Sequence, residues 1–243
     1  PTLDCSKATF DGKLNGDTLS VTATGIFEDA NADENKTVEI TDLTLTGADA
    51  GNYFLVNSGQ QTSTTAAISQ MPLTIDSVVA QKRAYVPNDK TVTIVSVYFK
   101  DENDQNVELT KGTDYTVTGT LADDNAGKSK TATVAVTLTG NAANNYSLES
   151  KTTTVEVDID KADQTITGGN QTITKNGVAV DISGWFQLEK GDGTLSYALV
   201  GTHDGITLDT GKKTLTAAAD DSTVSSFQLQ VSAAATTNYN AAS

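Results

Sequence analysis

Basic residues are scarce in this chain. Sixteen lysines and arginines face 31 aspartates and glutamates, giving a formal charge of −15 and a pI near 4.2. Nucleic-acid binding rests on cations that neutralise phosphates, so the balance argues against a nucleic-acid partner, and against an anionic membrane surface for the same reason. The acidity reads as a solubility device. Histidine occurs once, at His203. Histidine metal clusters are thereby excluded, and a Ser-His-Asp site would have to use this one residue. Its setting, GTHDGIT, reads as a loop beside an Asp-Gly turn. Cysteine also occurs once, at Cys5. No intrachain disulfide can form, so packing alone must hold the fold. The preceding TLD lacks the small residues of a lipid-anchor site, and Cys5 reads as a plain strand cysteine. Neither a Gly-x-Gly-x-x-Gly loop nor a phosphate-binding Gly-Lys-Ser/Thr loop is present. No apolar run approaches membrane-spanning length and no signal peptide is visible. Pro1 does not look like a natural start, and a fragment of a longer secreted chain would look the same.

What is abundant is threonine, with 40 residues among 243. Thr branches at Cβ, fits a pleated strand and tolerates water on the outer face. Hydrophobic content is 37%, low for a globular enzyme and suited to thin, two-faced sheets. The expected class is all-β.

The chain repeats itself. TLTGADAGNY (Thr44–Tyr53) returns as TLTGNAANNY (Thr137–Tyr146), and more faintly as QVSAAATTNY (Gln230–Tyr239). Upstream, GIFEDANADENKTVEI (Gly25–Ile40) parallels GTLADDNAGKSKTATV (Gly119–Val134), matching Asp29 with Asp123, Asn31 with Asn125, Ala32 with Ala126 and Lys36 with Lys130. ISQMPLTI (Ile68–Ile75) parallels IDKADQTI (Ile159–Ile166). These echoes set expected boundaries near Met71 and Ala162, hence modules at 1–70, 71–161 and 162–243. Neither junction is rich in Gly or Ser, which predicts modules set end to end as a semi-rigid rod.

Period-two alternation predicts strands at 17–25, 36–47, 90–99, 114–119, 130–140 and 152–160. Val134, Val136 and Leu138 should face one way, with Ala135, Thr137 and Thr139 opposite. Turn signals stand at Asn15-Gly16, Lys111-Gly112, Asn176-Gly177, Asp192-Gly193 and residues 209–212. No window has a capped 3.6-residue period, so no long helix is expected. About seven strands over about 90 residues in the middle module is sandwich spacing. The repeated phrase then reads as a corner. The Asn or Gly before each tyrosine would take a left-handed turn, and the tyrosine hydroxyl would bond a backbone group across the loop.

Few residues offer chemistry. EDANADEN (Glu28–Asn35) alternates Asp29, Asn31 and Asp33 as a calcium loop does, but Glu34 and Ile40 stand where that loop needs Gly and Glu. DENDQN (Asp101–Asn106) and ADDN (Ala122–Asn125) are similar oxygen-rich turns. Many acids are present, but nothing selects a pair for glycoside hydrolysis. Trp185 and Phe186 are adjacent, and on a strand one of them would face outward as a sugar platform, although a core role is favoured. Lys–Asn isopeptide cross-links are permitted without being indicated. Lys36, Lys130 and Lys151 near strand ends should discourage edge pairing, and a monomer is expected. No catalytic, cofactor-binding or metal-binding residue is assigned.

GDTLSVTATG and GTDYTVTG, with LTGADAGNY and LTGNAANNY, resemble the YDG-type repeat domains of large bacterial surface proteins across residues 1–161. The opening departs from that pattern, keeping only Tyr85 in AYVPNDKTV, and the first module looks truncated at its start. Residues 162–243, with GTLSYAL, ITLDTGKKTLTA and TTNYNAAS, resemble a bacterial immunoglobulin-like repeat. The resemblance implies tandem immunoglobulin-like β-sandwiches in an extracellular, non-catalytic, adhesin-like protein. It would serve as stalk or adhesive repeat, with an unknown host protein or glycan as ligand or none, no cofactor, and no membrane insertion by this segment. The alternative is an accessory carbohydrate-binding region of a larger extracellular enzyme.

Overall fold

A computed structural model describes residues 1–56, 58–219 and 226–243. The chain is mostly β. In order come β1 (Ser20–Phe27), β2 (Asp33–Thr46) and β3 (Ser63–Ile68). Next are β4 (Met71–Ala80), β5 (Arg83–Ala84), β6 (Thr91–Val92), β7 (Ile94–Asp101), β8 (Asn106–Val107), β9 (Tyr115–Leu121), β10 (Gly127–Leu138), β11 (Tyr146–Leu148) and β12 (Thr152–Asp160). The rest are β13 (Thr165–Gly168), β14 (Ala179–Asp181), β15 (Phe186–Lys190), β16 (Leu195–Leu199), β17 (Ile206–Asp209), β18 (Thr214–Ala217) and β19 (Leu229–Ala233). Among the described residues helix is confined to one 3-10 turn (Ala50–Asn52) and α1 (Gly140–Asn145). The strands expected from alternation are present. The run 90–99 is broken, because Thr93 falls between β6 and β7.

The sheets are β1-β2-β3, β5-β12-β10-β9-β6, β11-β4-β7-β8, β13-β15, β14-β18-β17 and β16-β19. The chain divides into two compact units: residues 1–77, 97–117 and 136–151, and residues 78–96, 118–135 and 152–243.

In the first unit β2 lies between β1 and β3, and Val38 on it is fully buried. Pro1–Leu3 runs along the outer side of β1, where Leu3 N–H donates to Ala23 O and Gly25 N–H to Pro1 O. The same unit buries Leu73, Val97, Phe99, Tyr115 and Val136. Phe99 meets Tyr115 edge to face at 5.2 Å, and the buried Tyr115 hydroxyl accepts the Val97 N–H at 3.1 Å. Strand β10 alternates as its sequence requires: Ala132, Val134 and Val136 are buried while Thr133, Ala135 and Thr137 are exposed.

The second unit holds a cluster of Ile182, Tyr197, Leu215 and Val231, with Trp185, Phe186 and Ile166 packed against it. Beside it lies one buried amide. Gln164 donates to Ala234 O and Asn240 O at 2.8 and 2.7 Å, and its Oε1 accepts Gly193 N–H at 2.8 Å. Three bonds offset the cost of burying the amide. A Cβ at Gly191 or Gly193 would stand 2.5 or 2.6 Å from Gln164 Oε1, so both glycines are needed to admit it. Asp192-Gly193, expected as a turn, forms none: Gly193 N–H is committed to Gln164 and Asp192 Oδ1 accepts from the Thr236 hydroxyl.

Candidate functional site

The repeat residues converge on two loops built alike. On β2, one extra residue is accommodated between Asp33 and Lys36 relative to β3, where Ile68 and Ala66 are the partners. On β10, one extra residue falls between Gly127 and Lys130 relative to β12, where Ile159 and Val157 are the partners. A bulge bends its strand and re-aims a side chain. Here it turns Lys36 and Lys130 into the loops that precede them. Lys36 Nζ donates to Asp29 Oδ1 at 2.8 Å, with Glu28 Oε1 at 3.8 Å. Lys130 Nζ donates to the Asp123 carboxylate and to Asn125 O at 2.7 Å. The two lysine side chains are 6% and 16% exposed, which sets them apart from surface lysines. Asp29 Oδ1 also accepts Asn31 N–H at 2.7 Å, and Asp123 Oδ1 accepts Asn125 N–H at 2.9 Å. The lysine bond and then this N–H hold both carboxyls below their usual value. The reciprocal bond from Asp29 raises Lys36.

So braced, each loop turns one backbone N–H and one side-chain carbonyl toward an asparagine from far along the chain. Ala32 N–H donates to Asn145 Oδ1 at 2.8 Å, and Asn145 Nδ2 donates to Asn31 Oδ1 at 2.9 Å. Ala126 N–H donates to Asn238 Oδ1 at 2.8 Å, and Asn238 Nδ2 donates to Asn125 Oδ1 at 3.1 Å. Asn145 and Asn238 immediately precede the repeated tyrosines. Their corners are fastened alike. Gln70 Nε2 donates to Ala143 O at 2.9 Å, three residues before Tyr146, and Lys161 Nζ donates to Thr236 O at 2.5 Å, three before Tyr239. Tyr146 then pairs in parallel with Met71, and Tyr239 with Ala162. The first joint lies wholly within the first unit and the second wholly within the second.

Several sequence expectations change here. The asparagines before the tyrosines do not take the left-handed backbone. Within the repeated phrase that conformation falls on Gly47 (φ 108°) and Gly140 (φ 55°), six residues before each tyrosine. Asn145 and Asn238 are used for their side chains. The hydroxyl bond expected of the tyrosine is made by Tyr53, which accepts Leu14 N–H at 3.1 Å and donates to Asp17 at 2.5 Å. Tyr239 instead places its ring 5.4 Å from Tyr85, nearly perpendicular. Lys36 and Lys130 are not edge guards. They sit on inner strands of their sheets with their ammonium groups turned inward.

Trp185 does not alternate with Phe186, because Trp185 closes a turn onto Ile182 O at 3.1 Å before β15 begins. Both rings pack on the core cluster. His203 donates from Nε2 to Val200 O at 2.8 Å beside Gly205 (φ 78°), as a turn residue. Cys5 is half-buried with its thiol 3.6 Å from Leu3 O. In the 101–106 turn, Asp101 Oδ1 accepts the N–H groups of Asn103 and Gln105 at 2.9 and 2.8 Å. Among the described residues no group of three or more His, Cys, Asp or Glu side chains is placed to hold a metal. No described helix is long and apolar enough to cross a membrane.

The family model described as YDG domain matches residues 2–66, which carry the first of these loops. Neither a curated protein nor a solved structure matches the chain.

Proposed function

We propose that the chain is a non-catalytic segment of a bacterial surface or secreted protein, made of tandem immunoglobulin-like sandwiches that act as a stalk or adhesive repeat. The supporting observation is the pair of joints. Two loops carrying the same Asp, Asn, Ala and Lys, 94 residues apart, each receive an asparagine on the Ala N–H and the Asn Oδ1. A joint with fixed donors and acceptors sets the spacing between successive segments, as a spacer needs. The match of residues 2–66 to the YDG domain is consistent with this reading. Small-angle X-ray scattering, with calcium and with chelator, tests it. The stalk reading requires an elongated profile that is the same in both. A compact profile sinks it, and one that stiffens only with calcium replaces it with a metal-set stalk.

The alternative is an accessory carbohydrate-binding region of a larger extracellular enzyme; the half-buried Trp185, packed against the core cluster, weighs against it as a sugar platform. Saturable binding on a glycan array, lost in Trp185→Ala, would restore it.

A further inference from the structure

We infer that Lys36 and Lys130 are positioning residues for the two asparagine joints. Each supplies a tethered cation around which its loop folds, so that the Ala N–H and the Asn Oδ1 face outward at the separation a carboxamide requires. The inference rests on the joint geometry described above, whatever the larger protein does.

A short loop of Asp-x-Asn type gathers oxygens that repel one another unless a cation sits among them. In the second loop that cation is Lys130 Nζ, which meets the Asp123 carboxylate, Asn125 O at 2.7 Å and Asp123 O at 3.4 Å. In the first it is Lys36 Nζ, facing Asp29 at 2.8 Å and Glu28 at 3.8 Å. An ammonium is expensive to withdraw from water unless oxygens surround it, so the lysine and the loop fix each other. The bulge is what makes the reach possible. Without the extra residue in β2 or β10, the lysine would keep the register of its strand and point elsewhere. Among the described residues neither lysine hydrogen-bonds Asn145 or Asn238, the asparagines that dock. Asn125 shows the coupling most directly, since its backbone carbonyl binds Lys130 while its side-chain carbonyl receives Asn238.

The test is residue-resolved amide exchange on the full chain carrying Lys130→Gln or Lys36→Gln. Lys130→Gln should speed exchange at Ala126 about tenfold, the loss of roughly one hydrogen bond, and leave Ala32 unchanged. Lys36→Gln should do the reverse. A purely structural lysine would loosen both amides together or neither, and either result overturns the proposal. A rescue adds a second reading. In a Cys5→Ser background, Lys130→Cys is alkylated before refolding, either with 2-bromoethylamine, which restores an ammonium of similar reach, or with iodoacetamide, which does not. Recovery of Ala126 protection with the amine alone supports the proposal, and equal recovery with both overturns it. If these variants do not fold, Asp123→Asn removes the partner charge while keeping the shape. Selective loss at Ala126 supports the inference and unchanged protection ends it.

Discussion

Residues 1–68 and 71–160 carry the same loop, the same lysine and the same closing phrase, yet they are filled very differently. In the first stretch the buried side chains among the described residues are Ala23, Val38 and Lys36, while Leu14, Ile26 and Phe54 are 68%, 63% and 82% exposed. In the second, Leu73, Val97, Phe99, Tyr115, Val134, Val136 and Ile159 are all buried. The repeat therefore specifies a turn and a docking loop, not a core. Loop chemistry depends on a few polar atoms at fixed spacing and survives on a thin sheet, whereas core depth depends on how many strands a stretch commits.

The largest expected effect sharpens that contrast. Phe99→Ala should cost about 3–5 kcal/mol in chemical denaturation, because it empties a buried site against Tyr115. Phe54→Ala, at an exposed position, should stay within about 0.5 kcal/mol. Comparable losses at both would mean that Phe54 is covered in solution.

A smaller effect separates two of the asparagines that precede the repeated tyrosines. Asn145→Ala should cost about 1 kcal/mol and release the Ala32 amide in exchange measurements, since it removes two hydrogen bonds at a partly exposed loop. Asn52→Ala removes an exposed side chain and should be silent by the same measurement. An effect at Asn52 equal to that at Asn145 would break the distinction.

The smallest is a pH effect shared by both stretches. The carboxyls of Asp29 and Asp123 are held low by the lysines and by the N–H groups of Asn31 and Asn125. A depressed native value means that the contribution is complete above the unfolded carboxylate range, near about 3.9, and fades as pH falls through the lowered value. Carbon-13 titration should show both side chains still ionised as the pH falls through the ordinary carboxylate range, at about 3.9. Midpoints at or above the usual value would remove the ion pair from the loop's stability.

The alternation in β2, β10 and β12 was legible because period two is written in single residues: Val134 and Val136 face inward as their spacing requires. The equivalences of Asp29 with Asp123, Asn31 with Asn125 and Lys36 with Lys130 were legible too, but not their use. The acids suggested a metal, the lysines an edge guard, and the asparagines a left-handed turn. What hid the answer was the one-residue bulge, which leaves no mark in composition yet decides that Lys36 and Lys130 point back into their own loops. The partner asparagines lie 113 and 112 residues from the amides they receive, beyond the reach of any local pattern. The role of Gln164 was missed for the same reason, although the two glycines at 191 and 193 were the visible trace of something needing space.

The parallel pairing of β11 with β4 has a mechanical consequence. Tension entering the chain at Met71 and leaving beyond Leu148 pulls these strands in opposite directions along their length. The ladder bonds joining Tyr146–Leu148 to Met71–Leu73, together with Glu149 N–H to Leu73 O, are then loaded side by side in shear. They must fail together, where an antiparallel hairpin pulled from its open end would unzip one bond at a time.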